Sequence, residues 1–182
     1  MRCRFCNHKV TNELIDLINS PASNSYLSEQ QLNQPETYFP LKVYVCNNCF
    51  LVQVDEYKSF ESIFDNNYAY FSSYSTSWLA HCKNYVEKMV SELSLTENSQ
   101  VVEIASNDGY LLQYFLPHQV KLLGIEPTKN TADVAILKGI PCITEFFGEK
   151  LATELSQKGR RADLLIGNNV LAHVPNINDF VK

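Results

Sequence analysis

Two pairs of cysteines, Cys3-x-x-Cys6 and Cys46-x-x-Cys49, constrain this 182-residue chain more than any other feature. A Cys-x-x-Cys turn brings two thiolates to one ion, and two such turns complete a tetrahedral set of four sulfurs. The N-terminus carries no apolar export segment, so the pairs read as metal ligands before disulfides; redox pairs and buried free thiols are the alternatives. The 39 residues between the pairs exceed compact ribbon spacing, so a long insertion leaves and returns. Around the second pair, residues 41–54 alternate apolar positions on either side of Cys46-Asn-Asn-Cys49, the pattern of a β-hairpin whose turn is made of ligands. Four thiolates leave no open coordination position, so the expected zinc is structural. His8 is not needed as a fifth ligand and reads as a surface residue.

Composition limits the partners. The chain holds 15 Lys+Arg against 20 Asp+Glu, and residues 1–64 hold 5 against 7. Without a basic excess, neither nucleic acid nor an anionic membrane is an expected partner. No apolar run reaches the ~18 residues of a membrane span, and the expected location is the cytoplasm. With 45% hydrophobic residues the chain has enough apolar material for a buried core.

Three regions follow: a zinc-binding domain over 1–64, an aromatic-rich linker and helix over 65–97, and an α/β domain over 98–182. Leu14, Ile15, Leu17 and Ile18 form a run too short to assign to strand or helix. Phe64, Tyr68, Phe71, Tyr74 and Trp78 recur at helical spacing, although the serines at 72, 73, 75 and 77 weaken a helix there. From Ser77 to Leu95 the pattern is a plain amphipathic helix, with Cys82 on its apolar face. From residue 100, short apolar runs at 101–105, 120–125, 140–144 and 163–167 alternate with helical stretches at 109–116, 130–138 and 148–158. That alternation predicts a parallel sheet of βαβ units, with ligands beyond the C-terminal strand ends.

The strand ends carry chemistry. The first ends Glu103-Ile-Ala-Ser-Asn-Asp-Gly109, which resembles the first motif of S-adenosylmethionine (SAM)-dependent methyltransferases, with Ala105 and Asn107 where glycines are usual. The second ends Gly124-Ile-Glu126, an acid placed 23 positions after Glu103 and suited to two ribose hydroxyls. The Gly-x-Gly-x-x-Gly of NAD binding is absent from 103–112. The fourth strand ends Gly167-Asn168-Asn169, followed by Val170-Leu-Ala-His173.

Together with Tyr68-Ala-Tyr-Phe-Ser-Ser-Tyr-Ser75, Ser106-Asn-Asp-Gly-Tyr-Leu-Leu112, Gly124-Ile-Glu-Pro127, Phe146-Phe-Gly148 and Asn168-Asn-Val-Leu-Ala-His-Val-Pro175, these stretches resemble one family in order along the chain. It is the sugar C-methyltransferases with an N-terminal zinc-binding domain, which act on nucleotide-linked deoxy-keto-sugars. The resemblance implies an α/β fold: a small zinc-knuckle β domain, then a Rossmann-like class I methyltransferase sheet, incomplete at the C-terminus. It implies structural zinc on Cys3, Cys6, Cys46 and Cys49, and SAM held by Glu103, Ala105, Asn107, Gly109, Glu126, Asn168 and Asn169. It also implies a nucleotide-sugar substrate served by His173, Tyr74 and Tyr70 as base or enolate-oxygen donors. A sheet of this class has seven strands, so 1–182 alone is expected to transfer little or no methyl. A non-catalytic zinc/SAM-binding module and a small-molecule O- or N-methyltransferase are the other readings. The sugar, the methylated carbon and the oligomeric state are not specified.

Overall fold

The computed structural model describes residues 1–65 and 68–182; Asn66 and Asn67, inside the predicted linker, lie outside the described residues. The chain divides into two compact units, Met1–Phe64 with Pro175–Asn178, and Asp65–Val174 with Asp179–Lys182.

The first unit is built on two knuckles with the same backbone. In one, the Asn7 amide donates to the Cys3 carbonyl (2.9 Å) and the Cys3 amide to the His8 carbonyl (2.8 Å). In the other, Phe50 donates to Cys46 (2.9 Å) and Cys46 to Leu51 (3.0 Å). Each turn closes through a left-handed residue, Asn7 at φ 58° and Phe50 at φ 63°. Asn tolerates that conformation; Phe does so at a cost of about 1–2 kcal/mol. Among the described residues, strands β1 (Asn12–Ser20), β2 (Phe39–Val45) and β3 (Val52–Val54) form an antiparallel sheet in that order. Val45 pairs with Val52 across the second knuckle, so the predicted hairpin and its ligand turn are present. The undecided run at 14–18 is strand β1, its register interrupted where Asp16 Oδ1 accepts from the Ile18 amide (2.8 Å). Helix α1 (Phe60–Ile63) closes the unit. The buried apolar cluster consists of Cys3, Val10 and Cys46, with Met1, Cys6, Tyr44, Cys49 and Leu51 packed around it.

The second unit begins with helix α2 (Thr76–Glu92), capped by Ser75, whose Oγ accepts from the Trp78 amide (3.3 Å). Strands β4 (Gln100–Ile104), β5 (Lys121–Ile125), β6 (Cys142–Ile143) and β7 (Leu164–Ile166) form a parallel sheet in the order β6-β5-β4-β7. Helices α3 (Lys129–Leu137) and α4 (Glu149–Gln157) connect them, and α5 (Ile177–Val181) follows β7. Strand alternation sorts β4 between two cores. Val101 packs with Cys82, Val86, Leu111, Leu112, Phe115, Ala135 and Ile140, and Val102 with Leu123, Ile125, Leu151 and Leu155. A sheet covered on both faces by helices is the α/β architecture expected from the alternation.

Two expectations are corrected. The helix predicted over 109–116 is instead a series of turns leading into a 3-10 helix at Leu112–His118. Gly109 sits at φ 73°, which cannot start a right-handed helix, and Pro117 supplies no amide. The aromatic helical face from Phe64 to Trp78 does not form either. Tyr68–Phe71 is irregular, Ser72–Tyr74 is a single 3-10 turn, and the α-helix starts only at Thr76. Its backbone is instead held by side chains of the loops and helix beyond β4 and β5.

Candidate functional site: a four-thiol cluster and the C-terminal strand ends

In the first unit one ligand atom from each of Cys3, Cys6, Cys46 and Cys49 lies within 4.8 Å of the others. Cys3 Sγ and Cys49 Sγ are 3.6 Å apart, as are Cys6 Sγ and Cys46 Sγ. Four sulfurs at ~2.3 Å from a zinc ion stand ~3.8 Å apart in a tetrahedron, so the cluster fits that ion. Buried Gln53 braces it, with Nε2 3.3 Å from Cys3 Sγ and Oε1 accepting from the Arg4 amide (3.1 Å). Burial raises the Cys3 thiol, but the Cys6 and Phe5 amides and Gln53 more than offset it and bring it down to about 6. At Cys49 the Leu51 amide favours the thiolate, yet burial and the facing sulfurs of Cys6, Cys3 and Cys46 push it up to about 12. A dication removes that mutual opposition. His8 is exposed and stands outside the cluster.

In the second unit, the loop after β4 takes an unusual path. Ala105 (φ 56°), Asn107 (φ 48°) and Gly109 (φ 73°) are all left-handed. The Ala105 and Ser106 amides both donate to the Ile125 carbonyl, at 2.8 and 3.3 Å, tying the loop to the end of β5. Glycine is favoured at 109, because on this left-handed backbone an added Cβ would also lie 2.5 Å from Ile140 Cδ1 and 3.1 Å from Ala135 Cβ. Glu126 sits beneath the loop, with Oε2 accepting from the Asn107 amide (2.8 Å) and Oε1 from the Thr128 amide (2.9 Å) and hydroxyl. Burial pushes its carboxyl up, while Thr128 and Asn107 pull it back in part.

Glu103 is fully buried on β4, where its carboxyl faces the Tyr110 phenol without a well-formed hydrogen bond. Burial holds its carboxyl well above the ordinary range; the nearby Tyr110 phenol opposes the shift, and the Glu126 and Asp108 carboxylates add to it. Tyr110 was not singled out from the sequence. It is 4% exposed, its ring stacks on Trp78 at 6.0 Å, and its phenol lies between Glu103 and Asn168. Its place directly after Gly109 is the only local signal that could have marked it. Thr128, which holds Glu126, was missed as well; it follows the strand-end acid by two residues.

The remaining predicted residues lie at or beyond β7 and on the aromatic segment. Asn168 is half-buried and Asn169 exposed at φ 52°, in the turn after β7. His173 ends a 3-10 turn at Leu171–His173 and is exposed. Tyr70 and Tyr74 are 51% and 79% exposed, and Tyr74 stacks on Phe71 at 5.5 Å. Strand β4 lies between β5 and β7, so all three strand ends open on the same side of one parallel sheet.

The chain thus combines a four-thiol knuckle unit with a Rossmann-like parallel sheet that carries acids at two strand ends. Residues 3–64 match the family described as "Putative zinc binding domain". Over 180 residues the chain is 29% identical to the C-methyltransferase NovU of Streptomyces niveus, covering 99% of this chain and 43% of that protein. The chain therefore spans less than half the length of this curated relative. Among solved structures, YcgJ of Bacillus subtilis is similar over 49% of this chain and 30% of that chain, at 17% identity and a TM-score of 0.26. YjhP of E. coli is similar over 60% and 36%, at 14% identity and a TM-score of 0.29. Among the described residues no helix is long and apolar enough to cross a membrane.

Proposed function

We propose that this chain supplies the structural zinc unit and the first cofactor-binding strands of a SAM-dependent C-methyltransferase acting on a nucleotide-linked keto-deoxysugar. The single observation that carries the reading is the pair of buried acids at adjacent strand ends. Glu103 makes no well-formed hydrogen bond at either oxygen and faces the Tyr110 phenol, and Glu126 is anchored to the loop that joins the two strands. A buried carboxyl faced by a phenol is costly to ionise unless a cation meets it. A ligand carrying an ammonium and a ribose satisfies both acids, Glu103 through the cation and Glu126 through hydroxyls.

When bound, SAM supplies an electrophilic methyl group. The residues of this chain bind and orient it: Ala105, Asn107 and Gly109 through the left-handed loop, and Asn168 and Asn169 from the β7 side. Carbon methylation also needs a proton removed next to a ketone and a donor to the enolate oxygen. His173 is assigned the first task, as a side chain that can accept a proton, and the exposed phenols of Tyr70 and Tyr74 the second. The resemblance to a C-methyltransferase and the Tyr68–Ser75 segment favour carbon over oxygen or nitrogen as the methyl acceptor.

Calorimetry with S-adenosylhomocysteine tests the reading. The wild-type chain is expected to bind, and Glu126→Ala to bind at least ~10-fold more weakly, the loss of one or two hydrogen bonds to a charged group. Zinc content should not change. Equal affinity in the two proteins removes Glu126 from the ribose role, and no binding by wild type overturns the cofactor assignment.

A further inference from the structure

Segment 68–75 crosses the second unit as a strap that is fastened by its backbone. Asn130 Nδ2 donates to the Tyr68 carbonyl (2.8 Å) and Asn107 Nδ2 to the Tyr70 carbonyl (3.1 Å). The Ser72 amide donates to Asn107 Oδ1 (2.8 Å), and Lys138 Nζ donates to Ser73 Oγ (3.0 Å) and to the Asp108 carbonyl (2.6 Å). Three side chains of the sheet unit therefore hold main-chain and hydroxyl atoms of the strap. The Tyr70 and Tyr74 side chains remain largely exposed.

Asn107 stands at the junction. Both its side-chain oxygen and its side-chain nitrogen bond the middle of the strap, at Ser72 and Tyr70, while its backbone amide donates to Glu126 Oε2. The left-handed backbone at Asn107 lets one buried residue face both ways. A ligand that draws on Glu126 thus acts on the same residue that seats the strap.

We propose that Asn107 is a positioning residue, supported by Asn130 and Lys138, that couples cofactor binding at Glu126 to the seating of the strap that presents Tyr70 and Tyr74. Asn107 has so far been assigned to the cofactor alone; its side chain serves the strap. This inference rests on the cofactor reading above. The strap needs no apolar burial of its two tyrosines to stay in place, which leaves both phenols available to a polar, oxygen-rich substrate.

Hydrogen–deuterium exchange of the 68–75 peptide, with and without S-adenosylhomocysteine, tests the coupling. In wild type the ligand should slow exchange across the strap by about tenfold, the worth of roughly one hydrogen bond. Asn107→Gly suits the left-handed backbone and keeps the amide that meets Glu126 but removes both side-chain bonds to the strap, so at ligand concentrations that calorimetry shows to saturate it the ligand-induced slowing should be lost. Asn130→Ala, which removes the bond to the Tyr68 carbonyl and touches no bond of the loop after β4, should speed exchange of the ligand-free strap and weaken ligand binding about threefold, while the β4 amides keep wild-type protection. Binding in wild type with no change in strap exchange overturns the coupling alone. Calorimetry showing no binding overturns the cofactor reading, and the coupling with it.

Discussion

Glu103 sits where a carboxylate has least reason to be: near the C-terminal end of an inner strand, fully buried, with no well-formed hydrogen bond to either oxygen. Burial raises its pKa well above its ordinary value of 4.5, so near and above that value the ligand-free folded chain holds a proton that the unfolded chain releases. When the folded state binds more protons, stability falls as pH rises through the unfolded pKa and keeps falling until the folded pKa is reached. Glu103→Gln removes that dependence. The expected result is that wild type loses stability relative to Glu103→Gln as pH rises from 4.5 toward neutrality, with the two nearly parallel below 4.5. Denaturant midpoints across that range check it; a constant difference sinks the assignment. Gly109 is the second residue whose identity is fixed by physics. Gly109→Ala puts a methyl against Ile140 and Ala135 at φ 73°, and should cost roughly 2 kcal/mol or more in a denaturant titration.

At the level of elements, the knuckles and the strands were legible because their signals are local. Four cysteines at two fixed spacings predict the ligand set, and alternating apolar runs around Cys46–Cys49 predict the β2–β3 pairing seen. The alternation beyond residue 100 likewise gives the parallel sheet. The strap was not legible. Its aromatic spacing imitates a helix, but its backbone and the Ser73 hydroxyl bond to Asn107, Asn130 and Lys138, which lie 35, 62 and 65 positions along the chain from Ser72, Tyr68 and Ser73. No local pattern reports partners at that distance. Tyr110 was hidden for a related reason: its meaning comes from Glu103 and Asn168 on two other loops and strands, not from its neighbours in sequence. The Ala105–Gly109 loop was half legible, since Gly109 marks a turn while left-handed Ala105 shows no such sign in sequence.

At the level of the whole molecule, the two units depend on different sources of stability. The second unit has two apolar cores, one on each face of its sheet, built from helices and strands alike. The first has a single small cluster in which two of the three buried members are ligand cysteines, and the apolar side chains of β1 are exposed. Such a cluster removes too little apolar surface from water to offset the ordering of some sixty residues, so metal binding has to supply the difference. One zinc ion per chain is therefore expected by elemental analysis. A strong chelator, or Cys46→Ser, should abolish exchange protection throughout the first unit while β4 and β5 stay protected and the second unit keeps its own cooperative transition. A fully protected first unit without metal would falsify a folding role for the thiol cluster. Loss of both units together would instead show that the sheet cannot stand without the knuckles, contrary to what its two cores imply.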